Sequence, residues 1–108
     1  MRGAITLIHI ESGEVASSRN MVSDYKPNHQ TTYNGTDVIH FDNMMFLLPF
    51  GTYVVSQGDY IVLGNVQVNT NNLTETLNRS KSYQVKSIDE VEQKFDVNYK
   101  YKVMAQWK

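Results

Sequence analysis

Cysteine is absent from the chain. Its absence excludes disulfides, thiolate nucleophiles, iron–sulfur clusters and cysteine-based zinc sites, and it is compatible with a reducing compartment. Long apolar runs are missing as well. The longest strongly apolar stretch is residues 44–48, far short of the ~20 residues a membrane-spanning helix needs. Residues 27–78 contain no lysine or arginine, although they carry Asp37, Asp42, Asp59 and Glu75. No nucleophile elbow, Walker loop, dinucleotide-binding glycine pattern or HExxH helix occurs anywhere, so the chain reads as a protein without a catalytic or cofactor motif. The opening Met1-Arg2-Gly3-Ala4-Ile5-Thr6-Leu7-Ile8-His9-Ile10 has one positive charge, is broken by Thr6 and His9, and is followed by no small-residue cleavage site. It reads as a first strand rather than a signal peptide, and the chain as soluble and intracellular or part of an assembly.

What is present amounts to one domain. A chain of 108 residues with 41% apolar content buries enough surface to fold without metals or cross-links, so 1–108 is expected to be a single unit. Ten basic and eleven acidic residues give a net charge of −1, which argues against a nucleic-acid binder held by bulk charge. The charge is nonetheless unevenly placed: seven of the basic residues fall in 79–108, leaving the middle of the chain mildly acidic.

The hydrophobic pattern is that of strands. In 97–108, Val97, Tyr99, Tyr101, Val103, Ala105 and Trp107 alternate with Asn98, Lys100, Lys102, Met104, Gln106 and Lys108. This period of two predicts a strand with one buried and one wet face, Tyr101 and Trp107 lying inside. Residues 5–10, 36–41, 44–48 and 83–88 are further strands, with Pro49 closing the third. Residues 51–64 read as strand, tight turn at Gly58-Asp59, and strand. Residues 89–95 read as loop or a short helical turn. Two polar excursions separate the strands, about 17–36 and about 65–81; Asn34-Gly35 in the first is a strong turn pair. In the second, Leu73 and Leu77 at i,i+4 permit one or two helical turns, and an exposed loop fits equally well. The expected fold is all-β, a small barrel or sandwich of about six strands with two long polar loops.

Candidate chemistry is sparse. Asp37-Val38-Ile39-His40-Phe41-Asp42 puts His40 and Asp42 on one face of a strand, the geometry of a metal half-site or simply of same-face neighbours. No catalytic, cofactor or metal set can be assembled from the sequence. The three sequons, Asn34-Gly35-Thr36, Asn72-Leu73-Thr74 and Asn78-Arg79-Ser80, are expected by chance among ten asparagines. Seven Tyr, four Phe and one Trp raise a single-stranded nucleic-acid-binding barrel as the alternative function, since stacking with nearby lysine holds single strands. The separation of Tyr101 and Trp107 from Lys100 and Lys102 by the alternation weighs against it.

From about residue 45 onward, the apolar strand ending in Pro49, the segment Val54-Val55-Ser56-Gln57-Gly58-Asp59-Tyr60-Ile61-Val62-Leu63-Gly64, the later Ser82-Tyr83-Gln84-Val85-Lys86-Ser87-Ile88-Asp89 and the alternating last strand resemble the head-closure (stopper), or head–tail joining, proteins of long-tailed bacteriophages. Unlike many members of that family, this chain inserts residues 65–82 between hairpin and Tyr strand. The resemblance implies a non-enzymatic structural subunit of the virion, assembled from the host cytoplasm into a homo-oligomeric ring at the head–tail interface. The ring would close the channel on packaged DNA and contact portal/adaptor and tail-completion proteins, with no cofactor and no membrane. The expected interface or channel-loop residues are Asn28, Asn34, Asn69, Asn71, Asn72, Glu75 and Arg79, taken from the two polar loops. Loops free of Lys and Arg would suit a lumen facing phosphates.

Overall fold

The computed structural model describes the backbone of residues 2–34, 37–79, 81–91 and 98–107, and their side chains except those of 28–42. Among the described residues, six strands, β1 (Arg2–Glu11), β2 (Glu14–Asn34), β3 (Asp37–Leu48), β4 (Tyr60–Leu63), β5 (Ser82–Glu90) and β6 (Tyr101–Trp107), and one helix, α1 (Leu73–Arg79), follow one another, with α1 between β4 and β5. The strands close into an antiparallel barrel in the order β1-β2-β3-β6-β5-β4. Closure pairs every wall strand on both sides and so removes the open edges that make small sheets prone to association. Among the described residues, no helix is long and apolar enough to cross a membrane.

The barrel interior is filled by Ile5, Leu7, Met44, Phe46, Leu48, Ile61, Tyr83, Val85, Val103 and Ala105. Phe46 lies at its centre, fully buried, with the rings of Tyr25 and Tyr83 each 5.8 Å away. A second cluster sits outside the wall, where Ile8 and Val62 pack beneath Leu77 of α1. The cover explains why β1 does not alternate strictly between apolar and polar residues: residues 5–9 are buried on both faces. Thr6 on that covered face lies 2.8 Å from both Asn20 Oδ1 and Gly64 O, and its hydroxyl accepts from Val66 N at 3.0 Å. A buried hydroxyl is thus satisfied without water.

Several expectations are corrected. Residues 17–34 are not a loop; they belong to β2, and the turn expected at Asn34-Gly35 runs into residues outside the described ones. The polar side chains of 17–34 hid a strand whose backbone is paired by β1 as far as Arg2↔Asp24 and by β3 from Asp24↔Leu47 to Asn34↔Asp37. The entry to β2 is a two-residue turn, Ser12-Gly13, with φ of 52° and 77°, the left-handed pair that matches hairpin twist. β2 and β3 also outrun their neighbours. β1 ends opposite Asp24, and β6 reaches β3 only as far as Asn43↔Gln106. Among the described residues, 29–34 and 37–42 therefore pair only with each other, an arm of about 20 Å at strand rise leaving one end of the barrel. Pro27 stands where β2 has lost its β1 neighbour, the edge position that tolerates a missing N–H.

The hairpin expected over 51–64 is half correct. β4 is a strand, but its partners are β1 and β5. Residues 51–55 are not strand; they cross the barrel end opposite the arm as a strap, with Tyr53 and Val55 packed on the core and Val54 exposed. Val103 and Ala105 face inward as the alternation predicts, but Tyr101 is only half-buried and Trp107 is 47% exposed. Both lie at the ends of β6, where the inner face opens onto a rim. Segment 65–81 contains α1, so its helical alternative is the right one. Residues 92–97, covering part of the expected turn at 89–95 and the start of the expected last strand, lie outside the described residues.

Candidate functional site

The barrel end opposite the arm carries the densest polar arrangement. β1 and β2 place Leu7 opposite Arg19 and His9 opposite Ser17, and a register shift follows at His9/Ile10. His9 is buried, and its Nδ1 lies 2.8 Å from Asp59 Oδ2 while its Nε2 lies 3.2 Å from Glu11 Oε1. Asp59, 1% exposed, also accepts from Ile10 N at 3.0 Å and Ser56 N at 2.8 Å. One carboxylate thus ties the turn before β4 to β1, across fifty residues of sequence. The Asp59 hydrogen bond raises the His9 pKa above its ordinary value of 6.5, outweighing burial, with Glu11 adding to the rise. The imidazolium form, with an N–H for each carboxylate, is the one this geometry favours. Because both ring nitrogens face carboxylates, neither is left as a general base or metal ligand. Among the described residues no group of three or more His, Asp or Glu is arranged to hold a metal.

The strap crosses beside this ion pair. Arg19 Nη1 donates to Thr52 O at 2.7 Å, and its guanidinium carbon lies 5.5 Å from the centre of the Tyr53 ring. Lys100 Nζ lies 6.0 Å from the same ring and 5.2 Å from that of Tyr101, and it donates to Gly51 O at 3.3 Å. Tyr53 and Tyr101 meet edge to face at 5.8 Å, and the Tyr53 hydroxyl donates to Pro49 O at 2.5 Å. Burial, more than neighbouring Tyr101, pushes the Tyr53 phenol up to about 12 against the pull of Arg19, so it stays neutral. Between strap and strands lies a mouth of about 570 Å³ lined by Leu7, His9, Ser17, Ser18, Arg19, Thr52, Tyr53 and Val54. At the arm end, Lys81 Nζ lies 5.9 Å from the Trp107 ring, which itself meets Tyr83 at 5.7 Å.

The seven residues expected at an interface divide between two elements. Asn28 and Asn34 lie on β2, opposite Asn43 and Asp37; their side chains lie outside the described residues, as do those of His40 and Asp42. The other five build the α1 segment. Asn72 Oδ1 accepts from Glu75 N at 3.2 Å, capping the helix, and Asn69 Oδ1 accepts from Asn71 N at 3.0 Å. Asn69 N donates to Thr76 Oγ1 at 3.0 Å, Asn69 Nδ2 lies 3.5 Å from Glu75 Oε2, and Arg79 Nη2 donates to Gln67 O at 3.1 Å. These groups fold the segment onto itself, and Thr76 and Leu77 anchor it to the wall. The segment is a capped cover of β1 and β4 rather than a free loop.

Sequence reasoning missed Arg19, Tyr53 and the His9–Asp59 pair. A histidine inside an apolar strand was the one available signal, and nothing local pointed to its partner. No family model, curated protein or solved structure matches this chain.

Proposed function

We propose that this chain is a non-enzymatic assembly subunit, built as a closed barrel with a projecting two-stranded arm, and that its place is the head–tail connector ring of a long-tailed bacteriophage. The arm carries the reading. A two-stranded ladder standing alone is marginal in water, and, among the described residues, 29–34 and 37–42 have no other strand beside them. Both outer edges therefore offer backbone donors and acceptors to a partner chain. The arm contains no Lys or Arg, which suits a lumen in which basic groups would grip phosphates. The partners follow from the resemblance of residues 45–108 to head-closure proteins: portal/adaptor above, tail-completion protein below, packaged DNA within. The test replaces residues 29–42 by a two-residue Asn-Gly turn in the parent phage, with filled, leaked and tailed particles counted by electron microscopy. The expected result is a folded protein whose heads leak DNA or lack tails. Normal yields of infectious particles would refute the role of the arm, and dispensability of the whole gene would refute the reading.

Single-strand nucleic-acid binding is favoured by one observation: cations lie over partly exposed rings at both barrel ends, Lys100 on Tyr101 and Lys81 on Trp107. Such a binder loses affinity for an oligonucleotide steeply as salt rises, whereas a ring subunit has no appreciable affinity to lose.

A further inference from the structure

Among the described residues, the positive charge that Arg19 brings to the mouth beneath the strap is balanced by no carboxylate. Among the described residues, neither Arg19 nor Lys100 takes part in an ion pair, and both lie within 6.0 Å of the Tyr53 ring centre. The nearby carboxylates, Glu11 and Asp59, are already bound to His9. Arg19 is held in place by Thr52 and by the ring beneath it, with one terminal nitrogen committed to the backbone. A guanidinium has five N–H donors in a planar fork, whose natural complement is the two oxygens of a carboxylate. The rest of the mouth's surface is mostly apolar, supplied by Leu7, Tyr53 and Val54, with His9, Ser17, Ser18 and Thr52 as its polar lining. Its volume of about 570 Å³ suits a small molecule, and an apolar cleft with a few convergent polar groups is how such sites are built.

We propose that the mouth is a binding site for an apolar monocarboxylate, its carboxylate on Arg19 beside Ser17 and its hydrocarbon body against Leu7, Tyr53 and Val54. The site belongs to the isolated barrel and goes beyond the assembly reading, so each stands or falls by its own experiment. The same chemistry is offered by a free organic acid and by the C-terminus of a peptide.

The test is an amide NMR titration of the whole purified protein with phenylacetate, its neutral isostere phenylacetamide, and N-acetyl-Gly-Phe. Phenylacetate is expected to saturate with a Kd of about a millimolar, the affinity a ligand of this size reaches, shifting residues 17–19 and 52–54. Phenylacetamide is expected to bind at least about tenfold more weakly, and Arg19→Gln to weaken phenylacetate by a similar factor. Val54→Asp, at a position 59% exposed, is expected to weaken it without unfolding the barrel. Tighter binding of N-acetyl-Gly-Phe would identify a peptide terminus as the source. The absence of a saturable shift at these residues, equal binding of the amide, or undiminished binding by Arg19→Gln would overturn the proposal. If Arg19→Gln does not fold, the comparison of acid with amide on the unaltered protein decides.

Discussion

Replacing Asp59 by alanine removes the acceptor on which the barrel end depends. The carboxylate is 1% exposed and takes Ile10 N, Ser56 N and His9 Nδ1 at 2.8–3.0 Å. Without it, two backbone N–H groups and a buried imidazole lose their acceptor. Each orphaned buried donor costs about 1–3 kcal/mol, and breaking a buried ion pair from one side costs about 3–5 kcal/mol. The contributions overlap, because the turn can relax and admit water, so the expected loss is about 3–5 kcal/mol rather than their sum. For a domain of this size each kcal/mol moves Tm by about 4–8 °C, so Asp59→Ala should lower Tm by at least about 12 °C. The assay is urea denaturation followed by far-ultraviolet circular dichroism at pH 6, with thermal melts alongside. Glu11→Gln is the control: its side chain is 71% exposed, and losing its contact with His9 should cost less than about 1 kcal/mol. A loss below about 0.5 kcal/mol for Asp59→Ala, the range of an ordinary surface change, would refute the claim that this carboxylate pins the β4 turn to β1.

Three further outcomes are expected. The His9 pKa is raised in the folded protein, so its contribution to stability is complete below the unfolded value of about 6.5 and is lost as pH rises through the folded one; the urea midpoint should fall from pH 6 to pH 8.5, and His9→Gln should flatten that fall. Phe46, fully buried, should cost about 3–5 kcal/mol on truncation to alanine, whereas Trp107, 47% exposed, should cost clearly less in the same denaturant melt; equal losses would mean that the rim is as enclosed as the core. Asn72→Ala removes the α1 cap and should cost about 1 kcal/mol, and deletion of 69–78, which strips Leu77 from Ile8 and Val62, should destabilise the barrel to a degree a free loop would not, as read by the thermal midpoint.

The sequence by itself determined the class of fold. Alternation in β6, the turn residues at Gly58-Asp59, the short apolar stretches of β1 and β3 and the spaced Tyr83, Val85 and Ile88 of β5 are local patterns, and a period of two admits one reading wherever one face is wet. It also placed Val103 and Ala105 inside and Lys102 outside, because pleating alone sets which neighbours share a face. What it could not determine depended on pairing between distant segments. β2 has polar residues on both faces through much of its length, so no periodicity marks it; it is a strand because β1 and β3 take its backbone hydrogen bonds. Residues 51–55 look like a strand but have no free wall to join once β4 lies between β1 and β5, and so they became the strap. Leu73 and Leu77 made a helix conceivable, but it was the covered face of β1 and β4 that gave Leu77 a surface to pack on. The mouth and the ion pair beside it lie beyond any local pattern. His9 and Asp59 are fifty residues apart in sequence and 2.8 Å apart in space, and only closure of the barrel brings the turn before β4 against the end of β1.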